Sequence, residues 1–338
     1  LLQVIQAESA QLTRNDTGAK DKHMRVRHLA TIALLFLGLR SIAEVQTDND
    51  ARQRPELVSL LQKPLYANAD GDRTKLEANL AAAQAELAAD PNNPAKLVWV
   101  GRRLGYLWRI HQAIEVFSGG IQTHPEYAPL YRHRGHRYIT LRHFDRAIAD
   151  LERAAKLIGA KPDEIEEDGM PNERNIPLTS LGFNVWYHLA LARYLQGDFD
   201  GAARDFAKTL AFCRGHDDNV VAVSDWLYMS LRRQGRAEEA ARVLAPIRTD
   251  MNIIENAAYH RRLLMYKGEV KPEDLLNMQK ASELDVATYG YGVGNWFLYS
   301  GQREKAVEVF QRVVNGPYWP AFGFIAAEVE LARTKTDQ

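Results

Sequence analysis

Three positions recur along this chain at a spacing of 34 residues: Gly101, Ala113 and Phe117 reappear as Gly135, Ala147 and Leu151. The same trio returns as Ala190, Ala202 and Phe206, and again as Gly294, Ala306 and Phe310. A glycine or alanine in one helix and an alanine in the next let two backbones approach, and the large apolar residue fills the space between them. A unit of this size cannot bury its own apolar face, so neighbouring units must stack. The chain therefore reads as an all-α solenoid, built to present surface.

Composition narrows the function classes. Of the 338 residues, 46% are hydrophobic and 25% charged, and Lys plus Arg equals Asp plus Glu at 43 each. Zero net charge argues against general nucleic-acid binding, which needs a basic field. The single cysteine, Cys213, excludes an internal disulfide and a cysteine-rich metal site. It is expected near a helix end as a small apolar filler.

The N-terminal residues 1–43 read as an extension with a signal peptide. Met24-Arg25-Val26-Arg27-His28 leads into the uncharged, mostly apolar run Leu29 to Leu39, and Ser41-Ile42-Ala43 follows with small residues at cleavage spacing. The run is too short to span a bilayer as a helix. The expectation is export to the periplasm or beyond; if the segment is instead an N-terminal helix, the chain is cytoplasmic. Residues 44–73 are polar, with Pro55, Pro64 and a turn-like Asn68 to Asp72, and read as a tether with one short helix near Glu56 to Gln62.

From Thr74 to the end, at 338, helical periodicity dominates. A helix over Leu76, Leu80, Ala83 and Leu87 ends at Asp90-Pro91-Asn92-Asn93-Pro94. Helix pairs are predicted at 95–107 with 111–123, 128–141 with 144–158, and 183–196 with 199–213. Gly235, Gly268 and Gly301, each 33 residues apart, mark the turns of later units. The middle one of these is degenerate, with Glu273 where a small residue belongs. A loop over 160–181, carrying Pro162, Gly169, Pro171, Pro177 and the acidic run Asp163 to Asp168, interrupts the array. The last helix, 320–334, puts Ala321, Ile325, Ala326 and Val329 on one side and Glu328, Glu330 and Arg333 elsewhere, as a cap with a polar outer face would.

These residues resemble the tetratricopeptide repeat (TPR) superfamily over about three quarters of the chain. The resemblance implies a right-handed α-solenoid of about six helix-turn-helix units plus a C-terminal capping helix. Tyr131 to Tyr138, Asp168 to Asn172 with Ile176-Pro177, and Tyr291 to Trp296 are similar to stretches of uncharacterised exported bacterial TPR proteins. That similarity implies no activity.

In such a fold the first helix of each pair lines the concave face. The family's inward slots then fall on Arg102 and Tyr106, Arg132 and His136, Tyr187 and Tyr194, Asp225, Met229 and Arg232, Arg262 and Tyr266, and Tyr291, Asn295 and Tyr299. Arg and Tyr are enriched where partners bind. The implied function is a non-catalytic scaffold holding a protein or extended peptide, with an acidic segment as one candidate. Between Glu126 and Asp145 there is no acidic residue, so Arg132 and His136 either meet an acidic ligand or pair with Asp145, Asp150 or the 163–168 run. Arg134 and Arg137 are expected to face elsewhere.

Catalytic and cofactor motifs are missing. His133 and His136 form a lone i,i+3 pair without a carboxylate to complete a metal shell. Gly290 to Gly294 lacks a preceding strand and a following Lys-Ser/Thr, so no phosphate loop is expected. There is no Gly-x-Ser-x-Gly elbow. The alternative reading is an enzyme or small-ligand-binding protein that uses the 160–181 loop as a lid. The loop could equally act as an acidic competitor in the groove or as a structural clamp.

Overall fold

A computed structural model describes residues 54–67, 72–159, 161–277 and 282–336. Residues Pro55–Gln338 form one contact unit. The signal-like segment 24–43 lies outside the described residues.

A short antiparallel hairpin comes first, β1 (Leu57–Val58) and β2 (Pro64–Leu65), followed by α1 (Arg73–Ala89). Six helix pairs follow. They are α2 (Pro94–Tyr106) with α3 (Ile110–Thr123), α4 (Ala128–Thr140) with α5 (Phe144–Ile158), and α6 (Leu181–Gln196) with α7 (Phe199–Thr209). Next come α8 (Asp217–Arg233) with α9 (Ala237–Leu244), α10 (Ala257–Tyr266) with the five-residue α11 (Pro272–Leu276), and α12 (Glu283–Tyr299) with α13 (Arg303–Val314). The chain's last helix is α14 (Phe322–Thr336). The architecture is an all-α solenoid of stacked helix pairs.

The 34-residue trio acts as expected. A Cβ on Gly101 would sit 2.2 Å from the Phe117 ring, and one on Gly294 would sit 2.5 Å from Phe310. Ala113, Ala147, Ala202 and Ala306 are fully buried beside them. Side-chain caps start several helices: Asp72 accepts from Lys75 N, Asn93 from Ala95 N, Ser180 from Phe183 N and Asp198 from Gly201 N. Cys213 is buried at a helix end, where burial pushes its thiol up to about 12.

One turn design joins the two helices of every pair. The N–H groups of Arg109, His143, Asp198, Arg236, Glu269 and Gln302 each bond the carbonyl five residues back. The residue before each has positive φ. This is a left-handed helix stop, a position that favours glycine. Gly197, Gly235, Gly268 and Gly301 fill it in the last four pairs, but Trp108 (φ 58°) and Arg142 (φ 62°) fill it in the first two. A non-glycine residue there costs about 1–2 kcal/mol. Both side chains gain contacts with the C-terminal segment. Trp108 meets Tyr318 and Trp319 edge-on at 5.2 and 5.7 Å. Arg142 Nε donates to Glu328 Oε2 at 2.9 Å and its Nη2 to Trp319 O at 3.2 Å.

Two expectations are corrected here. Helix α14 is not an outer cap: Phe324 to Leu331 are all buried, so the helix is enclosed around its circumference. Its glutamates can be buried because arginines meet them. Glu328 pairs with Arg142, and Glu330 with Arg233 (2.7 Å) and Arg333 (2.8 Å). The short helix expected at 56–62 is instead the β1–β2 hairpin, held at both ends of the solenoid. Glu56 Oε2 accepts from Ile110 N at 2.9 Å and His111 N at 3.2 Å, capping α3, whose own N-cap Arg109 makes no side-chain cap bond. Leu60 N donates to Glu328, and Trp319 Nε1 donates to Tyr66 O at 2.9 Å.

Candidate functional site

The first helices of successive pairs, α2, α4, α6, α8, α10 and α12, pack side by side and carry the predicted inner residues. Much of the face they form is sealed. Asp225 and Arg262 are 0% exposed, with Arg262 Nη2 2.8 Å from Asp225 Oδ2. Arg262 also donates to Thr288 O at 3.1 Å and to the Tyr266 hydroxyl at 3.3 Å. Its guanidinium lies against Gly292, where a Cβ would come within 2.0 Å of Nε. Burial raises the Asp225 carboxyl to about 7, opposed by Arg262.

Tyr194, Tyr291 and Asn295 form a second interior network. The Tyr194 and Tyr291 hydroxyls are 2.7 Å apart, Asn295 Nδ2 donates to Tyr194 OH at 3.0 Å, and Arg233 links Asn295 Oδ1 to Glu330. Tyr187 is buried between Phe183 and Phe206, and Met229 is buried beside Arg262. The expectation that Tyr187, Tyr194, Asp225, Arg262, Tyr291 and Asn295 face an open groove is therefore corrected. Helix α14, with its two glutamates, and the neighbouring inner helices fill that space.

The α2–α4 end meets the 160–181 loop. Glu166 Oε1 lies 2.9 Å from Arg132 Nη2 and 3.7 Å from His133 Nε2, and all three side chains are largely buried. Arg102 Nη2 donates to Glu167 O and Arg103 Nη1 to Gly169 O, both at 2.8 Å. Gly169 rests on the Tyr106 hydroxyl, where a Cβ would come within 2.1 Å. The loop is tied down along its length: Glu166 N to Thr179 O at 3.0 Å, Leu181 N to Glu164 O at 2.8 Å, and Asp163 capping Gly182 N at 2.8 Å. It packs as a clamp over the inner face. Of the acidic partners foreseen for this region, Glu166 meets Arg132 and Asp150 meets Arg134, at 2.7 Å; Asp145 bonds Gln196 instead.

His136 and Arg137 depart from the helical-wheel expectation. His136 does not reach the acidic run; it lies against His188 (4.5 Å) and Phe322 (5.3 Å). Arg137 does not point away. Its guanidinium bends onto Gly105, and Nη2 donates to His136 Nδ1 at 2.9 Å. Burial, then nearby arginines, push His133 and His136 well below the ordinary range. Burial and Arg132 do the same to His188.

Arg102, Tyr106, Arg232, Tyr266 and Tyr299 keep partial exposure. Arg232 lies 4.4 Å from the Tyr299 ring and donates to Tyr228 OH at 3.0 Å, and Tyr228 stacks on Tyr266 at 4.4 Å. Sequence reasoning missed Trp108, Arg137, Arg142, Arg233, Glu328 and Glu330. The signal for two of them was available: Trp108 and Arg142 stand where a turn glycine belongs.

Among the described residues no group of three His, Cys, Asp or Glu could hold a metal ion, and no helix is long and apolar enough to cross a membrane.

No protein-family model matches the sequence, and a search of curated proteins finds no match. Solved structures do resemble the fold. YrrB, described as a TPR protein with an unusual peptide-binding site, is 14% identical over 77% of this chain and 100% of its own, with a TM-score of 0.40. A tetratricopeptide repeat protein from Parabacteroides merdae is 15% identical over 78% of this chain and 94% of its own, TM-score 0.47. MamA is 18% identical over 59% and 95%, TM-score 0.40.

Proposed function

We propose that this protein is an exported, non-catalytic scaffold that binds an acidic, extended protein segment across α8, α10 and α12, through Arg232, Tyr266 and Tyr299. The observation that carries the reading is the state of Arg232. Among the described residues it has no carboxylate within ion-pair distance, although its guanidinium is held over a tyrosine ring and kept partly exposed. A fixed guanidinium offers a carboxylate two parallel bonds, and the flanking tyrosines supply rigid apolar area. Zero net charge gives no general field for nucleic acid. Export rests on the basic lead, short apolar run and small residues of 24–43.

The test is selection of peptides from a random library by the full chain. Enrichment of Asp- or Glu-bearing sequences, lost in Arg232→Ala with an unchanged melting temperature, supports the reading; enrichment that survives the substitution contradicts it. Export is checked by N-terminal sequencing of the protein recovered from the producing cells, where a mature start shortly after Ala43 is expected.

A further inference from the structure

A second, separate site lies at the other end of the inner surface. Gly105, Tyr106, Trp108, His136, Arg137 and Phe322 border a cavity of about 250 Å³. Its mouth carries Met170 from the loop and Leu284 from the start of α12, 65% and 46% exposed. Cationic and polar groups border the same space as aromatic rings and an apolar rim. At roughly 30 Å³ per water in the liquid, the space equals about eight waters, or a ligand on the order of ten non-hydrogen atoms.

The key group is Arg137. Among the described residues no carboxylate lies within ion-pair distance of it, and its side-chain bond is to the neutral ring of His136. Its charged neighbours are Arg132 and Arg102, of like sign. The nearby acid, Glu166, is engaged by Arg132. The buried arginines described above, Arg132, Arg142 and Arg262, each find a carboxylate within the chain, and the half-buried Arg137 is of another kind. Among the described residues it finds none, and burial with Arg132 and Arg102 beside it lowers its pKa to about 10. An anion in the cavity would relieve that repulsion.

We propose that this cavity binds a small organic monocarboxylate with an aromatic or aliphatic body, its carboxylate on the Arg137 guanidinium and its body among Trp108, Tyr106 and Phe322. The carboxylate replaces the missing ion-pair partner. The apolar body covers the rings and reaches the Met170–Leu284 rim. This site does not depend on the peptide reading at Arg232.

Calorimetric titration of the full chain with 3-phenylpropionate tests the proposal, with 3-phenylpropionamide and acetate as the same body without charge and the same charge without body. Saturable binding of 3-phenylpropionate is expected, with the amide weaker by roughly 10- to 150-fold, the worth of a charge-assisted hydrogen bond, and acetate weaker through loss of the buried apolar body. Arg137→Gln should weaken binding by a similar factor. Should that variant fail to fold, Met170→Glu decides. Residue 170 is exposed, so the melting temperature should hold while the added carboxylate at the mouth weakens binding several-fold. Arg232→Ala should leave this binding unchanged. Failure of 3-phenylpropionate to saturate at millimolar concentration overturns the site. So does equal binding of acid and amide, or undiminished affinity in Arg137→Gln or in Met170→Glu.

Discussion

The buried and the exposed parts of the inner surface use the same residue types to opposite effect. Around α8–α12 the arginines Arg262 and Arg233 are matched by Asp225 and Glu330, and tyrosines knit the network shut. Around α2–α4, Arg132 is matched by Glu166, but Arg137, further along the same helix, has no such partner among the described residues. The presence of Arg and Tyr on an inner helix therefore does not mark a binding surface. What separates structure from site is whether the chain itself supplies the carboxylate. Arg137 and Arg232 are two where, among the described residues, it does not.

The comparison can be broken most forcefully at Arg262. Removing one partner of a buried pair strands the other, so Arg262→Ala or Asp225→Ala should each cost about 3–5 kcal/mol in urea unfolding. A loss below about 1 kcal/mol would be the value of an exposed pair and would contradict the sealed interior.

Acid titration is the next largest effect. His133, His136 and His188 are held neutral by burial and neighbouring arginines. Their folded pKa values lie below the unfolded ones, so the unfolded chain binds more protons at acid pH. Their contribution is full above about pH 6.5 and is lost as pH falls, by up to about 1.4 kcal/mol per pH unit for each histidine. His188→Gln should flatten that slope in pH-dependent melting; an unchanged slope would show that His188 takes up its proton in the fold as readily as in the unfolded chain.

Smaller effects sharpen the picture. Glu328→Gln keeps the shape but weakens the bonds to Arg142 and Leu60 N, and should cost about 1–3 kcal/mol. If α14 were an outer cap, the substitution would be nearly silent. Arg232→Ala, at a partly exposed position with no carboxylate partner, should change stability by no more than about 0.5 kcal/mol.

Much of this was legible in the sequence. The 34-residue period follows from local helix crossings, and the helix ends follow from Pro94, Gly197, Gly235 and Gly301, whose conformations are set within a few residues. What was not legible depends on distant partners. Arg142 and Glu328 lie 186 residues apart, and nothing in the run Phe322 to Ala332 separates a helix with one wet face from one enclosed on all sides. The turns were the overlooked clue: Trp108 and Arg142 accept a left-handed backbone because their side chains seal the C-terminal segment. Helical spacing left open whether Arg132 would meet a ligand or the acidic loop, and it misjudged Arg137, because a long side chain can fold back over the bare backbone of Gly105.

Accessibility of the guanidinium groups tests the central distinction directly. The native full chain is treated with phenylglyoxal, and modification is mapped by peptide mass spectrometry against time. Arg137 and Arg232 are expected to react, while Arg142 and Arg262 stay protected until the protein is unfolded. Labelling of Arg262 at the rate of Arg232 under native conditions would contradict the division of the inner surface into a sealed part and an open one.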